Sequence, residues 1–471
     1  MREFGVLLPE LLLSAAATAV LFIDLVLRTP SQRRLLLWTS LIGLAGAASA
    51  IVRGSPPTVA FGGMYVRDGL SDTLQLLAIA VAAVGLLLSR DYLVRTDLER
   101  GEYYALVLFA SVGAMLLSAA GDLLLVFLGL EILSVPLYVL AAFARGQRRS
   151  QEAGLKYFLL GSFASGVFLY GAALVYGQAA TTALGRLLAA GDGLLLRLGV
   201  GLVIVGLGYK VAAAPFHAWA PDVYEGAPMP AAAFMSVVAK LGAVGALVRL
   251  LPLSLPDLAA LWRPFIAAMA ALTMVVGNLA ALGQVNLKRM LAYSSVAHAG
   301  YLLIGVASGT PTGITATVYY LAAYAAMQLG AFGVLVWLER LGMEADEVGD
   351  LAGLGGRSPA LAAAFGLFMA SLVGIPPTAG FFGKLYLFTA ALEAGLLWLA
   401  VVGVLTTVVS VAYYLRAAYA AYTDPARPGV RVAGGPWLAA GVLTAAVGVV
   451  LLGILVGPAT RWAQFASGMG R

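Results

Sequence analysis

The sequence predicts an all-α integral membrane protein, and three observations carry that class. Hydrophobic residues make up 61% of the 471 and charged residues 11%, against roughly 45 to 50% and about 25% in soluble domains. Apolar stretches of about 20 residues, the length that crosses ~30 Å of hydrocarbon, recur along the whole chain. There is no cysteine and there are only two histidines, His217 and His298. Disulfides, thiolate zinc sites and cysteine-bound iron–sulfur clusters are therefore excluded, and little remains to ligate a haem or a transition metal. Any redox chemistry belongs to other chains.

Fourteen spans are expected. The first seven lie at 5 to 27, 35 to 52, 70 to 89, 103 to 119, 122 to 144, 155 to 178 and 194 to 214. The second seven lie at 229 to 252, 259 to 283, 288 to 308, 313 to 338, 359 to 389, 396 to 422 and 433 to 457. The first is too long for a secretory signal and carries Glu10 and Asp24, so it is expected to stay in the mature chain. Connections are short and leave no room for a soluble catalytic domain; the charged segment 339 to 357 reads as a loop.

The +6 net charge resides mostly in arginines that flank spans, so it reports topology and requires no nucleic-acid partner. Loops after odd-numbered spans carry most of the Lys and Arg, among them Arg33, Arg34, Arg90, Arg95, Arg145, Arg148 and Arg149. The positive-inside rule places those loops in the cytoplasm and both termini outside.

Only five lysines occur, and three of them, Lys210, Lys240 and Lys384, lie inside apolar stretches, with Glu131 in another. A lysine at mid-bilayer costs roughly 2.5 to 3.5 kcal/mol on insertion scales, so three of them point to charge transfer. Burial disfavours a charged lysine and a nearby carboxylate favours it, so moving Glu131 relative to Lys210 would switch a proton on or off. Arginine, which never deprotonates in proteins, could not serve. The competing structural reading is that these groups are buried ion pairs or snorkelling lysines. Glu10, Asp24 and Asp72 lie nearer span ends and read as interfacial anchors.

Prolines mark where the helices should break. Pro136 follows Glu131 by five residues and Pro215 follows Lys210 by five. A proline removes its own amide donor and clashes with the carbonyl four residues back, here those of Ile132 and Val211, next to each charge. Freed carbonyls in lipid need water or polar partners. Lys384 follows a second break, at Gly374-Ile-Pro376-Pro377-Thr-Ala-Gly380. Lys240 has no proline, but Ser236, Gly242 and Gly245 beside it permit close helix packing.

A shift of 162 residues aligns Tyr157 with Tyr319, Leu159 with Leu321, Ala164 with Ala326, Gly171 with Gly333 and Pro215 with Pro377. It maps the sixth span onto the eleventh and the seventh onto the twelfth. An odd spacing of five spans makes such repeats inverted, a recurring transporter design with discontinuous helices at mid-membrane.

Ser294, His298 and Tyr301 share one helical face. Histidine titrates near neutrality, so His298 could relay protons between Lys240 and Lys384, or be a neutral packing residue. His217, in the break Pro215-Phe-His217-Ala-Trp219-Ala-Pro221, reads as a capping residue. Gly380-Phe-Phe-Gly383-Lys384-Leu385 lacks the glycine spacing and the Ser or Thr of a phosphate loop, so no nucleotide site is expected. No Ser-His-Asp set and no metal-spaced His pair occurs.

The stretch Gly208-Tyr-Lys210-Val-Ala-Ala-Ala-Pro-Phe-His-Ala-Trp-Ala-Pro-Asp-Val-Tyr-Glu-Gly-Ala-Pro228 resembles the antiporter-like subunits of respiratory complex I. So do Glu152-Ala-Gly-Leu-Lys-Tyr-Phe-Leu-Leu-Gly-Ser-Phe-Ala-Ser165, Ser236-Val-Val-Ala-Lys240 and Leu291-Ala-Tyr-Ser-Ser-Val-Ala-His-Ala-Gly-Tyr301. Together they resemble the N subunit of bacterial NADH:quinone oxidoreductase, the counterpart of mitochondrial subunit 2. Lys384 stands where the M-type subunit has a glutamate. Only about fourteen residues follow the last span, so the lateral helix of the L-type subunit is not expected.

The resemblance implies an antiporter-like fold with two inverted five-helix repeats, spans 4 to 8 and 9 to 13, and discontinuous spans 7 and 12. The chain then divides into 1–102, 103–252, 253–422 and 423–471. It also implies a proton path with Glu131 and Lys210 as paired switch, Lys240 as central relay and Lys384 as terminal site, and the leading expectation adds His298 between Lys240 and Lys384. NAD, FMN, iron–sulfur clusters and quinone would sit in partner subunits. The expected surroundings are other membrane subunits of complex I, the lipid of the bacterial inner membrane, and internal water. Two other readings stay open: a subunit of a multisubunit cation/proton antiporter, and a structural membrane subunit.

Overall fold

The computed structural model describes residues 3–27, 29–54, 57–191, 193–340 and 342–468, so the chain ends, on which the topology expectation falls, lie outside the described residues. The helices are α1 (Leu8–Val26), α2 (Arg34–Val52), α3 (Gly69–Arg95), α4 (Gly101–Ala119), α5 (Leu123–Ala141), α6 (Arg148–Ala179), α7 (Leu194–Val211), α8 (Trp219–Gly226) and α9 (Met229–Val248). They continue as α10 (Ala259–Leu282), α11 (Leu287–Ser308), α12 (Pro311–Val336), α13 (Leu354–Arg357), α14 (Pro359–Val373), α15 (Ala379–Glu393), α16 (Leu397–Thr423), α17 (Pro436–Ile454) and α18 (Val456–Ala466).

Thirteen helical stretches among the described residues are long and apolar enough to cross a bilayer. The twelfth expected span, 359 to 389, is divided into α14 and α15, two 15-residue helices each too short to cross singly. Gly374 ends α14 at φ 92°, a left-handed conformation that a side chain would strain. The seventh span is also interrupted. Its first half, α7, stops at Ala212 with φ 61°, and the chain resumes as the short α8. Both breaks hold a cis X–Pro bond, Ala214–Pro215 and Pro376–Pro377.

Pro136 does not break its helix. α5 runs continuously from Leu123 to Ala141 with the proline inside it, because losing one amide donor leaves the flanking turns bonded. Segment 339 to 357 is more than a loop: Leu338–Arg340 forms a three-stranded sheet with Met343–Glu344 and Val430–Val432. Short strands Thr58–Ala60 and Tyr65–Arg67 form a hairpin before α3. α18, which amphipathic patterning did not single out, follows the last span.

Local chemistry sets the helix starts. Asp68, Asp122, Asn286 and Thr310 cap α3, α5, α11 and α12 by accepting from the backbone amides of Ser71, Leu124, Arg289 and Gly313. Asp68 also ties α3 to its neighbours. Arg249, beyond the end of α9, donates two bonds to the Asp68 carboxylate at 2.8 and 2.9 Å and a third to the Ser118 carbonyl at the end of α4. Burial pushes the Asp68 carboxyl up, but the hydrogen bonds and charge of Arg249 outweigh it and hold the group below its ordinary value.

The centre of the bundle is α9, α11 and α12. The spans containing them are 100%, 94% and 94% buried within the protein, whereas those of α1, α2, α6 and α17 are 33% buried and form the rim. Gly242 lets α9 lie against α4: a Cβ there would sit 2.8 Å from Leu117 Cδ1 and 3.2 Å from Ala114 Cα. Of the three central helices, α9 carries Lys240 and α11 carries His298.

Candidate proton path

Lys210 occupies the last turn of α7 and is 3% exposed. Its Nζ donates to the Tyr157 hydroxyl of α6 at 3.4 Å and lies 4.9 and 5.2 Å from the ring centres of Tyr157 and Tyr138. Glu131, half-buried on α5, accepts a 2.5 Å bond from Ser165 of α6. Glu131 and Lys210 thus form no contact ion pair. A cavity of about 10 Å³, lined by Ser134, Tyr138, Ser165 and Lys210, lies between Ser165 and the lysine, and that is room for about one water. The Ser134 hydroxyl donates to the Leu130 carbonyl one turn back, beside the amide that Pro136 lacks.

Lys240 lies on α9 at 1% exposure. Its Nζ donates to Ser295 Oγ at 2.5 Å and to the Ser236 carbonyl at 3.3 Å. Ser295 shares a 2.7 Å hydrogen bond with Tyr324, which also donates to the Ser236 carbonyl. One turn along α11 comes His298, whose ring sits 5.3 Å from that of Tyr324. Its Nδ1 pairs with Tyr320 at 2.6 Å and its Nε2 with Tyr414 at 3.1 Å, and Tyr414 also bonds Ser294. His298 is thus fully buried and hydrogen-bonded at both nitrogens.

Lys384, on α15, donates to the carbonyls of Leu372 and Val373 at 3.0 and 2.9 Å. These end α14, so the lysine occupies the negative pole of the first half-helix and fills acceptors that the break left open. Its ammonium lies 4.7 Å from the ring centre of Tyr301, which packs edge-on to His298 at 5.7 Å. Thr407 donates to the Tyr301 hydroxyl at 3.0 Å. Pro376 and Pro377 form the turn between the two halves, as Pro215 does between α7 and α8.

Aromatic rings extend from the first lysine onto α8. Tyr157 stacks on Trp219 of α8 at 4.4 Å, and Trp219 meets Tyr224 edge-on at 6.0 Å. The Trp219 indole donates to the Tyr209 carbonyl across the break, tying α8 to α7. His217 does not cap with its side chain: its Nδ1 is buried without a partner, and its backbone carbonyl takes the Ala220 amide.

Glu10, in the first turn of α1, is enclosed by protein. It is 4% exposed, and its Oε1 accepts from Tyr65 at 2.7 Å and Gln75 at 2.9 Å. The hairpin before α3 folds over it. Near other span ends, Asp24 accepts the Gly101 amide and Asp72 pairs with Arg67 at 3.1 Å.

The hydroxyls of Tyr157, Tyr320, Tyr324, Tyr414, Ser165 and Ser295 were missed by charge and proline patterning. One signal in the chain does point at two of them: Tyr320, Tyr324 and Gln328 repeat every four residues on one face of α12. No group of three or more His, Cys, Asp or Glu suited to a metal occurs among the described residues.

Residues 120–410, which span α5 to α15 and so include every lysine of this path, match the family model described as NADH:quinone oxidoreductase/Mrp antiporter, TM. Subunit N of the NADH-quinone oxidoreductase of Trichlorobacter lovleyi is 45% identical over 430 residues, 90% of this chain and 88% of the relative. The chain belongs to the NADH-quinone oxidoreductase subunit N family. In the solved respiratory complex I of Thermus thermophilus with bound aureothin, one chain superposes with a TM-score of 0.83 at 39% identity, covering 95% of this chain and 97% of that one. A chain of the Mrp complex from Dietzia shares the fold, with a TM-score of 0.84 over 98% and 96% of the two chains, at 23% identity. Family members are antiporter-like membrane subunits, which accords with the multi-pass bundle.

Proposed function

We infer that this chain serves NADH-quinone oxidoreductase as its proton-translocating N subunit, beside other membrane subunits of complex I and without a redox centre of its own. The observation that carries the reading is the file of buried bases linked by hydroxyls and rings, Lys210 with Tyr157, Lys240 with Ser295 and Tyr324, His298 with Tyr320 and Tyr414, then Lys384. Glu131 is the charge that biases Lys210 across the one-water cavity, with Ser165 holding its carboxylate. Protons enter from the arginine-rich face, which the positive-inside rule puts in the cytoplasm together with termini on the opposite side. NAD, FMN, iron–sulfur clusters and quinone are handled by partner subunits, in keeping with a chain without cysteine.

Moving one charge against 100 mV costs about 2.3 kcal/mol, which a change in one buried charge–charge interaction can supply. We read α7–α8 and α14–α15 as equivalent broken helices of inverted repeats covering 103–252 and 253–422, flanked by 1–102 and 423–471. The cation/proton antiporter reading has less support, since at 23% identity the Mrp likeness speaks for the fold alone. The test replaces Glu131 or Lys210 by Ala in the assembled complex. Coupled quinone reduction and proton pumping should fall together; wild-type rates in both would overturn the mechanism, and lowered assembly with normal turnover per complex would indicate a structural subunit.

A further inference from the structure

A fourth lysine, Lys288, is as buried as the other three and takes no part in the path above. It sits at the first turn of α11, 1% exposed, and its Nζ donates to the Glu344 carboxylate at 2.8 Å and to the Ala227 carbonyl at 2.6 Å. Glu344 lies on the strand Met343–Glu344, with 22% of its side chain exposed, and also accepts from Tyr92 and from the Met229 amide that begins α9, each at 2.8 Å. The pair thus reaches from the surface of the arginine-rich face into the interior, at the foot of the helix that carries Lys240.

Gln328 lies between that pair and Lys240. It is fully buried on α12, its Nε2 donates to the Leu291 carbonyl of α11 at 3.4 Å, and its Oε1 is buried with no partner. Buried amide oxygens are satisfied in folded proteins, and where no protein donor reaches one, ordered water does. Height along α11 fixes its position in the column. Leu291 is three residues above Lys288 and four below Ser295, or about 4.5 and 6 Å at a rise of 1.5 Å per residue. One water making two hydrogen bonds of about 2.8 Å spans at most roughly 5.6 Å, which covers the lower rise and falls short of the upper one, where the Tyr324 hydroxyl on Ser295 supplies a further polar group. Four residues along α12 from Gln328 is Tyr324, already bonded to Ser295.

We propose that Gln328 is the water-binding positioning residue of a second inlet, by which protons from the Glu344–Lys288 pair reach Lys240 without passing Lys210. Protons move along it as hydrogen-bond exchange from a water at Gln328 to the Ser295 hydroxyl and so to Lys240. No group is consumed. The inlet deepens the proton-translocation reading and rests on it.

The test uses the whole assembled complex in proteoliposomes, comparing wild type, Gln328→Leu, Gln328→Glu and Lys240→Ala, with pumping expressed per assembled complex. Gln328→Leu should cut pumping at least threefold and raise its solvent deuterium isotope effect, Gln328→Glu should restore both, and a density map should show water at the Gln328 side chain. Should Gln328→Leu fail to assemble, Lys288→Met carries the same comparison. Wild-type pumping in Gln328→Leu or Lys288→Met, while Lys240→Ala abolishes it, would overturn the inlet and leave the path standing. Unimpaired pumping in Lys240→Ala would overturn the path and the inlet with it.

Discussion

Glu131 and Lys210 do not touch. Ser165 holds the carboxylate at 2.5 Å, Tyr157 meets the ammonium at 3.4 Å, and a cavity of about 10 Å³ separates the two sides. A contact ion pair would fix both charges in one state. A carboxylate tethered to a serine can change its distance from the lysine by a small side-chain movement, and that distance sets its electrostatic effect on the ammonium.

Ser165→Ala should therefore weaken coupling without harming assembly. A hydrogen bond to a charged group contributes about 1.5 to 3 kcal/mol, enough for a tenfold or greater effect. Proton pumping by assembled Ser165→Ala complex should fall by about that factor, and Ser165→Thr, which keeps the hydroxyl, should retain most of it.

Lys384 should not tolerate arginine. A guanidinium could donate to the Leu372 and Val373 carbonyls and keep the charge, but it does not release its proton in proteins. Lys384→Arg complex should assemble and yet pump at background level, read by the quenching of a pH-sensitive dye in inverted vesicles. Pumping at the wild-type rate would show that Lys384 merely caps α14.

Gly242 fixes how closely α9 approaches α4. A β-branched side chain there meets Leu117 and the Ala114 backbone, and overpacking of this kind costs about 1 to 3 kcal/mol. Gly242→Val should lower the thermal midpoint and the yield of assembled complex, with Gly242→Ala intermediate.

The Asp68–Arg249 pair should make stability acid-sensitive. The Asp68 carboxyl is held below its ordinary value, so its contribution is fully present above the unfolded value of about 3.9 and is lost as pH falls through the lower folded value. Wild type should therefore lose more thermal stability than Asp68→Asn between pH 5 and pH 3. Equal losses would mean that the pair contributes nothing in that window.

Membrane class, the lysines and the two interrupted spans were legible in the sequence because lysine and paired prolines are costly in lipid wherever they occur. Pro136 misled, since a single missing donor does not end a helix whose neighbouring turns are intact. The burial of Glu10 was not legible because the hairpin Thr58–Arg67 that covers it lies some 50 residues away. The tyrosines of the path have the same local pattern as tyrosines facing lipid, and only packing separates Tyr324 from Tyr419, which is 66% exposed. Lys288 was hidden for a like reason: its partner Glu344 is 56 residues off, in a segment that read as loop.

Proton pumping per electron pair by assembled Lys240→Ala complex tests the central claim most directly. Lys240 lies on both proposed routes, the one from Lys210 and the one from the Glu344–Lys288 pair, and before His298 and Lys384. Pumping should fall to background while NADH oxidation by artificial acceptors in the partner subunits is kept. Pumping at the wild-type ratio in that complex would contradict a proton path through these buried lysines.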